Sequence, residues 1–204
     1  MLLHWSPRSP FVRKVMIAAH EVGLADRLQC VRTVVAAAAP HAGLMRDNPL
    51  SKLPTLVLDD GAPIYDSPVI CEYFDTLHDG PRLLPTGFPE RLVTLRRQAL
   101  GDGMMDILLL WLGERGRPDR QRSDAHVEAY RTKIRACLDA LEREADALAA
   151  SRLDIGHIAI GVALGYLDFR FPAEAWREGR PRIAAWHADF AGRASAIANP
   201  PREG

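Results

Sequence analysis

Apolar residues recur along this chain in two rhythms, and the change between them falls near residue 80. Leu2–Trp5 is a short apolar run of the kind that forms a buried, parallel strand. From Pro10 the apolar positions Phe11, Val12, Val15, Met16, Ala18, Ala19 and Val22 return at helical spacing, and Gly23 is placed to end that helix. Leu28–Val35 is rich in valine and half alternating, which predicts a second strand. The alanine tract 36–39 and residues 41–48 read as a loop holding one helical turn. Thr55–Leu58, Asp59-Asp60-Gly61 and Ala62–Tyr65 then predict a strand, a tight turn and a strand. Ser67-Pro68 opens a second helix that runs to Leu77. The order is βαβ followed by ββα.

Pro81-Arg82-Leu83-Leu84-Pro85 reads as a linker, and beyond it only long helical patterns occur. They cover 90–115, 123–150, 155–169 and 181–193, with Gly116-Arg117-Pro118 breaking the first from the second. The fold class expected is therefore α/β followed by all-α: a small α/β domain at 1–80, a linker at 81–85 and a helical-bundle domain at 86–204.

Composition narrows the setting. The 204 residues are 48% apolar and 25% charged, with 15 Gly and 15 Pro, which excludes intrinsic disorder, a fibrous repeat and a small disulfide scaffold. With 26 basic and 26 acidic side chains the formal net charge is zero, without the footprint that non-specific nucleic-acid binding needs. The longest apolar run, Ile107–Leu112, is far short of the ~20 residues of a membrane span. The N-terminus lacks the basic-then-apolar order of a signal peptide, so a cytoplasmic location without membrane or nucleic-acid partners is expected. Cys30, Cys71 and Cys137 are widely spaced among apolar neighbours and read as packed, reduced thiols. His20, His41, His78, His126 and His187 are isolated and read as solvated; no spacing suits a metal, and none is expected.

Candidate chemistry sits in the first domain, where Ser9-Pro10 and Ser67-Pro68 share one design. Ser is a favoured N-cap and Pro a favoured first helical residue, and each such helix start presents free N–H groups and a positive dipole end. Val12 and Ile70 occupy the positions where a capping box would place an acid, so capping and catalysis both remain open for these serines. Between them stands Lys52-Leu53-Pro54-Thr55-Leu56. A proline entering a strand is either an ordinary trans residue of an edge or a cis bond that turns the Leu53 backbone outward to pair with an extended peptide.

Pro49-Leu50-Ser51-Lys52-Leu53-Pro54 before a strand, followed by Tyr65-Asp66-Ser67-Pro68-Val69-Ile70 opening a helix, resembles the thioredoxin-like domain of cytosolic glutathione S-transferases. Ser6-Pro7-Arg8-Ser9-Pro10-Phe11 is similar to the active-site segment of their serine- and cysteine-type classes, most closely the bacterial glutathione-transferase-like proteins with a Ser-Pro-Phe segment. Arg180–Trp186 resembles the family's last long helix, so the resemblance spans nearly the whole chain with its motifs in order.

The resemblance implies roles. Ser9 stands at the position of the catalytic hydroxyl or cysteine, with Ser6 as the rival. Leu53, before Pro54, would pair its backbone with the cysteinyl part of glutathione. Asp66 and Ser67 would take the γ-glutamyl ammonium and carboxylate, and Lys52 the glycyl carboxylate. A hydroxyl at position 9 cannot form mixed disulfides, which favours activation of the glutathione thiol for attack on an electrophile. Glutathione would thus be a co-substrate, and Phe11, Met104, Leu108, Trp111 and Arg115 would line an apolar pocket for the second substrate, although a Met/aromatic stripe is more often core than pocket and some of these residues must be core. A homodimer acting in detoxification is implied. Isomerisation, dehalogenation, peroxide reduction or non-catalytic binding are the alternatives. Asp154-Ile155-Gly156-His157 aligns with a family N-capping segment, but His157 replaces the reciprocal acid, which predicts a one-sided cap that weakens at low pH.

Overall fold

A computed structural model describes residues 1–36 and 38–203. The chain forms two compact units, one of Met1–Arg91 joined by the chain from Ala194 onward, the other of Leu92–Arg193. The first unit therefore extends past residue 80 and takes in the segment from Ala194.

The first unit holds β1 (Leu2–Trp5), α1 (Pro10–Glu21), β2 (Gln29–Arg32), β3 (Thr55–Val57), β4 (Pro63–Ile64), α2 (Ser67–Phe74) and, from the far end of the chain, α7 (Ala194–Ala198). The sheet order is β2-β1-β3-β4. β1 runs parallel to β2 and antiparallel to β3, with Leu3 opposite Leu56 and His4 opposite Thr55; β4 returns against β3 with Ile64 opposite Leu56. Leu3 and Leu56 are fully buried, as are Ile17, Ile70 and Phe74 of the helices. β2 is an edge strand and three of its four residues are exposed, so Cys30 is at the surface rather than packed; Cys71 is buried and Cys137 half-buried. The 81–85 segment is tied down: the buried Asp75 carboxylate accepts the Leu83 and Leu84 N–H groups at 2.9 and 2.6 Å.

The second unit holds α3 (Phe88–Arg115) from Leu92 on, α4 (Asp124–Ala150), α5 (Ile155–Arg170) and α6 (Pro181–Ala191). Nearly every residue of Ile155–Leu167 is buried, which makes α5 the central helix, apolar on all sides. Gly101 lets α3 approach it, since a Cβ there would lie 2.5 Å from the Ala159 carbonyl carbon. His187, read as solvated, is buried in this unit beside Arg177 (3.2 Å) and the Trp176 ring.

The cap of α5 is reciprocal, not one-sided. Asp154 Oδ1 accepts the His157 N–H at 2.9 Å, and His157 Nδ1 lies 3.3 Å from the Asp154 N–H. An imidazole nitrogen thus replaces the carboxylate of an ordinary capping box. Thr94 Oγ1 adds a bond of 2.6 Å to Asp154 Oδ2. Burial raises the Asp154 pKa, but the His157 hydrogen bond and charge, with Thr94 and the backbone, outweigh it and hold the carboxyl below its ordinary value. A depressed carboxyl stabilises the fold above its unfolded pKa, about 3.9, and that contribution disappears as pH falls through the folded value. Asp154→Asn is therefore expected to lower stability by about 1 kcal/mol near pH 7. The gap to wild type should close as denaturation midpoints are measured from pH 5 down to pH 2.

Candidate active site

Three segments of backbone meet at one end of the sheet. With His4 opposite Thr55 and Ile64 opposite Leu56, the C-terminal ends of β1 and β4 coincide with the start of β3. Ser6–Ser9, Leu53–Pro54 and Asp66–Ser67 are the residues just beyond those ends.

Ser9 is the N-cap of α1: its Oγ accepts the Val12 N–H at 3.3 Å. The hydroxyl proton remains available for donation, so capping and thiol activation are compatible rather than alternative. Val12 also joins the site's parts, because its buried side chain packs with Leu44 and Leu53. The Leu53–Pro54 bond is cis, as is Tyr65–Asp66. Leu53 is 9% exposed, and among the described residues no hydrogen bond reaches its N–H or C=O.

A buried polar knot holds the turn before it. Asn48 Nδ2 donates to the Lys52 carbonyl (3.2 Å) and to Thr55 Oγ1 (2.9 Å), and Thr55 Oγ1 donates to the same carbonyl at 2.9 Å. Asn48 O accepts the Ser51 N–H at 2.9 Å, supporting a left-handed Ser51 at φ 51°. The Lys52 side chain is exposed. At α2, Asp66 is the exposed N-cap residue and its carboxylate makes no capping bond, while Ser67 is 1% exposed. The first amides of this helix have no intrahelical acceptor.

Sequence reasoning missed Asn48, Thr55 and Arg13. Arg13 lies one turn after Ser9 and donates from Nε to the Asn199 carbonyl at 2.7 Å. Its Nη1 is buried without a hydrogen-bond partner among the described residues. Burial lowers its pKa to about 10, so the guanidinium is still charged at neutral pH. The terminal segment also reaches the Ser6–Ser9 turn, with the Arg202 N–H 3.5 Å from the Pro7 carbonyl. Only the four-residue spacing of Arg13 from Ser9 could have signalled any of this.

The residues expected for a second substrate belong to both units. Phe11 is half-buried on α1. Met104 and Leu108 on α3 are fully buried and offer no surface, and the Trp111 ring meets that of Phe171 at a tilt, with centroids 4.6 Å apart. Trp111 and Arg115 do line one cavity of about 840 Å³ within the second unit, whose wall mixes Phe169, Phe171 and Val127 with Arg122, Arg131 and Arg170. The Arg115 guanidinium lies over the Phe171 ring at 4.8 Å. Among the described residues no three His, Cys, Asp or Glu side chains group as a metal would require, and no helix is long and apolar enough to cross a membrane.

Residues 8–77 match the glutathione S-transferase N-terminal domain model, and residues 124–189 match the C-terminal domain model. The chain belongs to the glutathione S-transferase family. The uncharacterized GST-like protein YibF of Escherichia coli K12 is 35% identical over 205 residues, covering 99% of this chain and 100% of YibF. A glutathione transferase family member from Pseudomonas fluorescens Pf-5, crystallised with bound glutathione, is 41% identical over 99% of both chains, with a TM-score of 0.96. A Pf-5 family member with bound S-(propanoic acid)-glutathione is 38% identical over 100% of both chains, with a TM-score of 0.92. The first unit of this glutathione S-transferase family member is its thioredoxin-like domain, and the second is the helical one.

Within the thioredoxin-like domain the Asn48–Thr55–Lys52 knot is the part most open to a stability measurement. Thr55→Val keeps the shape and removes the hydroxyl, leaving the buried Asn48 amide short of an acceptor. A loss of about 1–3 kcal/mol is expected in the denaturant midpoint, whereas Asp60→Ala on the exposed hairpin should cost well under 1 kcal/mol.

Proposed function

We propose that the protein is a glutathione transferase that binds glutathione at the open end of the sheet and activates its thiol with Ser9. The observation that carries this reading is the convergence there of a capped hydroxyl, an unpaired peptide edge and a helix start with an unengaged carboxylate.

Each part of the tripeptide has a matching group. The γ-glutamyl carboxylate suits the Ser67 hydroxyl and the first amides of α2, and its ammonium suits Asp66. The cysteinyl peptide pairs with the Leu53 N–H and C=O beside Pro54, as an added strand would. Lys52 takes the glycyl carboxylate. The thiol then meets Ser9, whose oxygen is already polarised by the Val12 N–H. A free thiol has pKa ~8.5, and lowering it by about 2 units needs roughly 2.7 kcal/mol, within reach of one good hydrogen bond and a helix dipole. The bound ligands of the Pf-5 relatives, glutathione and an S-substituted glutathione, support this reading.

The second substrate is a small hydrophobic electrophile, and Phe11, two residues after Ser9, is the apolar group of the first unit assigned to meet it. We assign the protein to the cytoplasm, to detoxification and to a homodimeric state by the same family likeness. Glutathione-dependent isomerisation, dehalogenation or peroxide reduction would use the same thiolate and differ in the product recovered.

Conjugation of an aryl halide should fall about 100-fold in Ser9→Ala, matching the loss of ~2.7 kcal/mol of thiolate stabilisation, while the variant is still retained on immobilised glutathione. Ultraviolet absorbance of the bound thiolate should shift to higher pH in the variant. Unchanged turnover would move the role to Ser6, which Ser6→Ala then checks. Failure of the wild type to bind glutathione would overturn the enzyme assignment itself.

A further inference from the structure

The turn between α4 and α5 carries side chains that glutathione chemistry leaves unused. Ser151 ends α4, Asp154 caps α5 and His157 sits one turn into it. His157 Nδ1 is 2.7 Å from Asp154 Oδ1, and its Nε2 is 3.1 Å from Ser151 Oγ. This is a hydroxyl, a base and a carboxylate orienting that base, each within hydrogen-bond reach of the next. Ser151 is exposed while His157 is only 3% exposed, and both line a cavity of about 180 Å³ with Leu153, Trp186 and Phe190. We propose that Ser151, His157 and Asp154 form a second reactive site, independent of glutathione, that cleaves small esters bearing an apolar or aryl group.

The surroundings suit that chemistry. Thr94 Oγ1, at 2.6 Å, fixes the second oxygen of Asp154 and leaves the first to His157. His157 has two tautomers here: with the proton on Nε2 it accepts the Asp154 N–H at 3.3 Å and donates to the Leu148 carbonyl, and with the proton on Nδ1 it donates to Asp154 Oδ1 and leaves Nε2 as the acceptor, the form the reaction uses. Ser151 Oγ lies 2.8 Å from the Ala147 carbonyl, 3.2 Å from that of Leu148 and 3.1 Å from Arg97 Nη1. The resting hydroxyl donates to Ala147, and rotation about Cβ–Oγ turns its proton to Nε2. Arg97 then faces the oxygen as it gains negative charge. The Leu148 carbonyl, 3.1 Å from Nε2, accepts from the imidazolium once that forms. Directly after Ser151, the N–H groups of Arg152 and Leu153 make no hydrogen bond among the described residues and are open to a developing oxyanion.

The reaction balances with water as the only co-reactant. Ser151 Oγ bonds to the ester carbonyl carbon as its proton passes to Nε2. The carbon–alkoxy bond then breaks, and the departing oxygen takes that proton to leave as alcohol. Water attacks the acyl-serine, its proton moves to Nε2 and returns to Ser151 Oγ, and the carboxylic acid is released.

The test is made on wild-type protein free of glutathione, incubated with an alkyl fluorophosphonate and mapped by peptide mass. Phosphonylation of Ser151 is expected, as is hydrolysis of p-nitrophenyl acetate that falls about 100-fold in Ser151→Ala. Ser151→Cys should exchange fluorophosphonate labelling for iodoacetamide labelling at the same peptide. An unlabelled Ser151 in folded wild type, or ester turnover undiminished in Ser151→Ala, overturns the proposal; the labelling result requires no variant to fold.

Discussion

The antiparallel pairing of Leu3 with Leu56 sets where every group of the proposed glutathione site can stand. Both side chains are buried, so a slip of one residue would turn each to the opposite face of the sheet. That register places Thr55 against His4, and the cis Pro54 therefore emerges where β1 gives way to Ser6–Ser9. β4, tied to β3 through Ile64 and Leu56, delivers Asp66 to the same edge. Three short strands, β1, β3 and β4, thus bring together residues from three separate stretches of sequence.

Ser9 shows how little the site has to build anew. A helix start needs a side-chain acceptor for an otherwise unpaired amide, and Ser9 supplies it to Val12. Accepting that bond leaves the hydroxyl's donor free and orients it. The same economy holds at α2, where Asp66 occupies the cap position without using its carboxylate for capping, so the charge faces outward. The chain's zero net charge fits a ligand whose charges are met by groups within one or two residues rather than by a field over the whole surface.

What could be read from the sequence was local. Ser-Pro pairs announce helix starts because capping acts over three residues, and Leu2–Trp5 announces a strand because burial alternates or persists over four. The edge position of β2, and with it the exposure of Cys30, depended on which strand took its other side. Asn48 was invisible because its partners, Lys52 and Thr55, are polar residues of a turn with no periodicity. Arg13 has nothing in its own helix to mark it, because its partner, Asn199, lies 186 positions away in sequence. The apolar stripe of Met104 and Leu108 carried a real signal of burial, and spacing alone could not separate core from pocket.

His157 is where local reading and tertiary structure part most instructively. Replacing an acid by histidine at the third position of a capping box removes a carboxylate, yet an imidazole accepts the cap amide through Nδ1 in one tautomer and, in the other, donates from Nδ1 to Asp154 and leaves Nε2 as a base. A carboxylate at that position would spend its charge beside Asp154 and repel it. Histidine instead attracts Asp154 and carries the polar chain on through Nε2 to Ser151 at the end of the preceding helix. A capping substitution that preserves the fold therefore also creates a base between a hydroxyl and a buried carboxylate, and the reactivity of Ser151 follows from the same hydrogen bonds that start α5.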